Sequence, residues 1–98
     1  MNELVYQNKL IKKLQNIFEG CYILKNDPQF NQGIPDILML WQDTWAMFEV
    51  KKSGNAHIQP NQRHYVNLFN EMSFCAFIYP ENEDEVLHEL QQALGVGR

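Results

Sequence analysis

A mixed α/β domain, built as a four-stranded sheet with helices packed on it and spanning residues 1–98, is the fold class this sequence predicts. Three observations lead there. Apolar residues recur at helical spacing near both ends of the chain and again after Pro60, two short apolar runs follow one another across a tight turn, and a last apolar run comes only after the middle helix. Runs joined by a tight turn pair antiparallel, whereas a strand reached through a helical crossover pairs in parallel, with a right-handed connection. A chain of 98 residues buries about two thirds of its unfolded surface, so its core is small and a partner chain would enlarge it.

The elements follow in order. Residues 3 to 18 read as an amphipathic helix, with Leu4, Leu10, Ile11, Leu14, Ile17 and Phe18 on the apolar side, and Gly20 ends it. Cys21 to Leu24 is a short strand, followed by an irregular segment from Asn26 to Pro35 rich in Asn, Gln, Pro and Gly. Ile37 to Trp41 and the run ending at Val50 form a hairpin that turns through Gln42-Asp43-Thr44. After the loop Ser53 to His57, Pro60 opens a helix as a first-turn proline does, with Tyr65, Val66, Leu68, Phe69 and Met72 as its apolar side. Phe74 to Tyr79 is apolar throughout, the mark of a central buried strand, and Pro80 stops it. The last helix takes Asn82 as N-cap, acids in its first turn, Val86, Leu87, Leu90 and Leu94 inward, and Gly95 as its C-terminal stop.

Chemistry concentrates in the hairpin. Alternate side chains of an extended chain share a face, so Glu49 and Lys51 project together while Phe48 and Val50 point the other way. Pro35 forces Ile34 toward an extended conformation and Gly33 permits a sharp bend, which delivers Asp36 at a defined strand start. In a hairpin that start lies across from Glu49, so two carboxylates come within reach of one cation, beside an ammonium: the components of a metal-dependent phosphodiesterase. The Glu-x-Lys triplet carries little weight alone, since chance supplies roughly half of one in a chain of this composition. Its plainer reading is a solvated pair on an edge strand.

Taken together, these residues resemble the PD-(D/E)XK nuclease superfamily, and most closely its small stand-alone VRR-NUC type, found in phages and bacteria. Glu3 with Gln7 is similar to that family's helical acid and following glutamine, Gly33-Ile34-Pro35-Asp36 to its Gly-x-Pro-Asp element, Phe48-Glu49-Val50-Lys51 to its Glu-x-Lys strand, and Pro60-Asn61-Gln62 to the Pro-x-Gln that opens its next helix. The match covers nearly the whole chain. It implies a restriction-endonuclease-like αβββαβ core with an added C-terminal helix, and hydrolysis of DNA with Mg2+ or Mn2+. It also implies a homodimer acting on branched or structured DNA in the manner of Holliday-junction resolvases, in the cytoplasm of a bacterial or phage-infected cell. Asp36, Glu49, the Val50 carbonyl and Glu3 would then hold the metal, with Asp36, Glu49, Lys51 and Gln62 as the catalytic set. One departure is that only Lys52 adds positive charge after the strand, where relatives often carry a longer basic segment.

Alternatives stand beside several assignments. Glu3 also suits the first turn of a helix as an acid favoured by the dipole, and Gln62 competes with Gln59, which would open the helix and leave Gln62 solvated. His57, His64 and His88 lack any partner spacing and read as surface residues, Cys21 and Cys75 as reduced core thiols, and Trp41 and Trp45 as either strand-stabilising or interface aromatics. A non-catalytic adaptor on the same fold is the alternative function. A sequence-specific restriction enzyme is disfavoured by a chain with little beyond the core.

Charge and hydropathy set the partners. The net charge of −4 argues against nucleic acid until its distribution is read, because five acids, Glu81, Glu83, Asp84, Glu85 and Glu89, lie within nine residues. Elsewhere Lys9, Lys12, Lys13, Lys25, Lys52 and Arg63 are the candidate DNA-binding residues. No apolar stretch approaches the ~20 residues of a membrane helix, so no membrane partner is expected, and the N-terminus lacks the layout of a secretory signal.

Overall fold

The first helix, α1 (Glu3–Ile17), is fixed at its start by Asn2, whose Oδ1 accepts the Val5 N–H at 2.8 Å. The computed structural model describes residues 1–96. Along α1 the buried stripe is Tyr6, Leu10, Leu14 and Phe18, four residues apart throughout, which is one face of a helix. Leu4, expected inward, is 61% exposed, and Tyr6 takes the inner position instead. A buried tyrosine needs a partner for its hydroxyl, and here Tyr6 donates to a Glu83 carboxylate oxygen at 2.9 Å.

The strands are β1 (Tyr22–Lys25), β2 (Ile37–Trp41), β3 (Thr44–Val50) and β4 (Phe74–Ile78), in the spatial order β1-β2-β3-β4. The first three run antiparallel and β4 joins β3 in parallel, through helix α2 (Pro60–Met72). The αβββαβ order and the terminal helix α3 (Glu83–Leu94) agree with the expected fold class. The hairpin turn is shorter than expected: Trp41 pairs with Thr44, so Thr44 belongs to β3 and Gln42 takes a left-handed backbone (φ 55°) within a two-residue turn.

Two apolar layers sandwich the sheet. One face sends Ile37, Met39, Ala46, Phe48, Val50, Phe74 and Ile78 against α1 and α3; the other sends Met47 and Cys75 against Val66 and Phe69 of α2. Strand β4 is not central, as its continuous apolar run suggested, but lies at the margin of the sheet. The run reports two covered faces rather than two strand neighbours. Its outer margin is plugged by side chains: Asn70 Oδ1 accepts the Cys75 N–H at 3.2 Å, and Asn82 Nδ2 donates to the Phe77 carbonyl at 3.0 Å. Asn82 does hold the N-cap position of α3, yet its Oδ1 accepts from Tyr79 N rather than from the helix. Gly95 ends α3 in the left-handed region (φ 84°), as expected.

The two tryptophans part company. Trp41 faces the α1 layer, edge-on to Phe18 at 5.2 Å, with its indole N–H donated to the Glu19 carbonyl, so it packs half-buried against the core. Trp45 faces α2 and meets Phe69 edge-on at 6.4 Å.

Candidate active site

Pro35, fully buried, is where the site begins. Asn26 clamps the strand start from β1, its backbone N–H donated to the Asp36 carbonyl at 2.9 Å and its Nδ2 to the Pro35 carbonyl at 2.8 Å. The register pairs Ile37 with Phe48, and its continuation sets Asp36 opposite Glu49 and Pro35 opposite Val50. Proline has no N–H to give, so the antiparallel ladder stops there. The Val50 N–H turns instead to Asp36 Oδ2 at 2.8 Å, and the Val50 carbonyl receives no ladder bond from Pro35.

The pair next to it is buried. Glu49 is 3% exposed, and its carboxyl is pushed up to about 9, chiefly by burial, then by the charge of Asp36 and a hydrogen bond with it; Lys51 pulls the other way and Glu3 adds a little. Burial and the neighbouring Asp36 charge thus both favour the protonated form of Glu49. Lys51 is 8% exposed, with Nζ 3.9 Å from Glu49 Oε2 and donating to Gln62 Oε1 at 3.0 Å. The same Gln62 oxygen accepts the Gln59 N–H at 2.9 Å. Two donors on Oε1 fix the orientation of that amide and leave its NH2 as a donor. Gln59 does open α2, as the alternative had it, and yet Gln62 is no solvated bystander: it positions the lysine.

Asp36, Glu49, the Val50 carbonyl, Lys51 and Gln62 are thus brought together on the face that carries α2. Glu3 is not brought into the same contact. It lies exposed on α1, which packs on the opposite face, and reaches Glu49 only through its charge. Among the described residues no three His, Cys, Asp or Glu side chains form a metal-holding cluster. His57, His64 and His88 are all exposed, and Cys21 and Cys75 are both free thiols, the buried Cys75 being pushed up to about 12 mainly by burial.

The basic residues divide. Lys52 follows Lys51 in sequence, Lys25 pairs with Ile37 beside Asp36, and Arg63 follows Gln62 with its guanidinium 5.8 Å from the Phe77 ring centre. Of these, Arg63 stands over Phe77, the β4 residue paired with Glu49, whereas Lys25 shares with Ile37 the face turned toward α1. Lys9 and Lys12 are exposed on α1, away from α2, and Lys13 is engaged by Glu83. Glu83 is a first-turn acid of α3, as expected, and is besides turned inward and shared by Tyr6 and Lys13, which binds α3 to α1. Asn26 was missed by the sequence reading, because its clamp on Asp36 spans a ten-residue loop and leaves no local signal.

No family model matches the chain, and no curated protein matches it. A solved structure described as a VRR_NUC domain protein is similar, with a TM-score of 0.69 and 19% identity, over 99% of this chain and 91% of that one. The two share a fold from end to end: an α/β unit with a four-stranded mixed sheet and a C-terminal helix. No helix among the described residues is long and apolar enough to cross a membrane.

Proposed function

We propose that this chain is a metal-dependent DNA endonuclease of the VRR-NUC type. The observation that carries the reading is the juxtaposition of Asp36, held by the Val50 N–H, and buried Glu49 with Lys51 alongside, on a fold like that of the VRR_NUC domain protein. The donor set suits a hard divalent cation, since it consists of carboxylate and carbonyl oxygens. Asp36, Glu49 and the Val50 carbonyl would hold Mg2+ or Mn2+, with Glu3 contributing charge from a distance. When bound, such an ion supplies Lewis-acid polarisation of the phosphate and a bound water acidic enough to attack phosphorus.

The chain's own residues supply the rest. Lys51 presents a compact ammonium to the phosphate oxygens, where negative charge grows in the transition state. Gln62 holds that ammonium in place through Oε1, so the lysine pays less entropy to be where the charge develops. The Asp36 carboxylate is itself held by the Val50 N–H, which keeps the pair in one geometry. Arg63, over the Phe77 ring, and Lys52, next to Lys51 in the chain, are the contacts to neighbouring phosphates in this reading.

Branched DNA and a homodimer complete the reading. Support for the dimer comes from the part of the α2 face that α2 leaves bare. Leu38, Leu40, Trp45, Met47, Phe69 and Met72 line an apolar hollow of about 310 Å³, and Tyr22 and Leu24 extend it, paired with Leu40 and Leu38. With Tyr22 74%, Met72 67% and Leu24, Leu40 and Leu68 each 40–44% exposed, the patch is on the order of 500 Å², against ~800 Å² per partner in a standard interface. A second copy is the occupant proposed, since two-fold cuts across a junction match a two-fold dimer.

The test is a panel of labelled four-way junction, flap, single-stranded and plain duplex DNA, incubated with Mg2+ or Mn2+. Internal cuts that require the metal are expected, paired and symmetric on the four-way species. Absence of cleavage on every substrate, with the protein folded, overturns the reading in favour of a non-catalytic adaptor.

A further inference from the structure

Beside the catalytic group, the loop of residues 26–35 and the first turn of α2 enclose a cleft of about 350 Å³ lined by Pro28, Gln32, Gly33, Gln59, Asn61 and Gln62. We propose that this cleft is a subsite for one unpaired deoxynucleotide adjoining the scissile phosphate, an inference that rests on the nuclease reading above. Its lining has four carboxamides and no charged side chain. The lining offers no cation to pair with a phosphate, whereas a carboxamide offers a donor and an acceptor side by side, the pattern found on the edge of a nucleobase. The Pro28 ring adds an apolar surface against which a base can lie.

The cleft is continuous with the catalytic group through Gln62. Its Oε1 is committed to Lys51 and Gln59, so the NH2 is the end of that amide left to meet a ligand. Asn61 is seated deliberately. Gly33 has φ +89°, and a Cβ there would lie 2.5 Å from Asn61 Cγ, so only glycine lets the loop come this close to the amide. Asn61 Nδ2 donates to the Gln32 carbonyl at 3.0 Å, which leaves Oδ1 as an acceptor. The Gln32 side chain makes no hydrogen bond among the described residues.

Geometry then selects the ligand. A base inside a duplex has its pairing edge occupied by its partner and its faces stacked, and a cleft of this size holds one residue, not a helix. A nucleotide at a flap, bulge or branch point presents both edge and face. The cleft would make an unpaired position next to the cut a requirement for tight binding.

The experiment uses two duplexes of the same sequence, one fully paired and one carrying a single unpaired nucleotide, in binding by fluorescence anisotropy in EDTA and in cleavage with Mn2+. Wild type is expected to favour the interrupted duplex by about tenfold in both, with most of that preference lost in Gln32→Ala and in Asn61→Ala. Gln32 is exposed and its backbone carbonyl still accepts Asn61, so Gln32→Ala keeps the fold even if Asn61→Ala does not. An unchanged ratio in folded Gln32→Ala, or no preference in wild type, overturns the subsite while leaving cleavage intact. A binding preference that depends on Gln32 but comes with no cleavage of any DNA supports the cleft and overturns the nuclease reading instead.

Discussion

The two faces of the sheet differ in what they conceal. Toward α1 and α3 every central side chain is apolar and fully covered: Ile37, Met39, Ala46, Phe48, Val50 and Ile78 are all at 0% exposure. Toward α2 the same strands carry Asp36, Glu49 and Lys51 at one end, Met47 and Cys75 in the middle, and exposed Leu40 and Tyr22 at the other side. One helix covers the second face where two cover the first. Stability resides in the closed layer, which lets the other keep a protonated acid, a buried ammonium and bare leucines without unfolding.

Substitutions can break that division. The largest effect is expected at the polar end of the α2 face: Asp36→Asn, Glu49→Gln and Lys51→Ala should each lower metal-dependent cleavage by about 10³-fold or more, with cooperative melting retained by circular dichroism. Next comes the closed layer, where Phe48→Ala should cost about 3–5 kcal/mol in denaturant unfolding, against roughly 0.5 kcal/mol or less for Leu40→Ala on the open face of the monomer. If the two cost the same, the division into a closed and an open layer is wrong.

A pH titration sharpens the contrast. In metal-free protein Glu49 holds its proton up to about 9, whereas in the unfolded chain it releases it near 4.5. The raised folded-state value means its stabilising contribution is complete below 4.5 and is lost as pH climbs toward 9. Stability should therefore fall across that window, and Glu49→Gln, which cannot ionise, should flatten the slope. The smallest expected change is in association: Leu40→Glu or Met72→Glu should convert a dimer to monomer in sedimentation equilibrium, with little loss of monomer stability. A wild type that is monomeric at every concentration removes the dimer.

Much of this was legible in the residues. Period-two alternation sets Glu49 and Lys51 on one face, Gly33 and Pro35 place Asp36 just before its strand, and Pro60 and Gly95 mark helix boundaries by their own backbone preferences. What escaped were properties set by distant neighbours. A run such as Phe74 to Ile78 records that both sides are covered, which is as true at a sheet margin as in its middle. Glu83 read only as a first-turn acid and Lys13 as a DNA contact because their partner groups, with Tyr6, lie 70 or more residues apart in sequence. Trp41 was drawn into the core by Phe18 and the Glu19 carbonyl, contacts that no local window contains.

The asparagine plugs on β4 bear on how copies can join. Side chains from Asn70 and Asn82 occupy the Cys75 N–H and the Phe77 carbonyl on that margin, so a neighbouring strand would have to displace them, while β1 at the far side has β2 as its one strand partner. Endless stacking of sheets requires a donor rim and an acceptor rim on each molecule. With one rim stoppered, strand-to-strand joining exhausts itself after a single union, and fibre growth by that route is foreclosed.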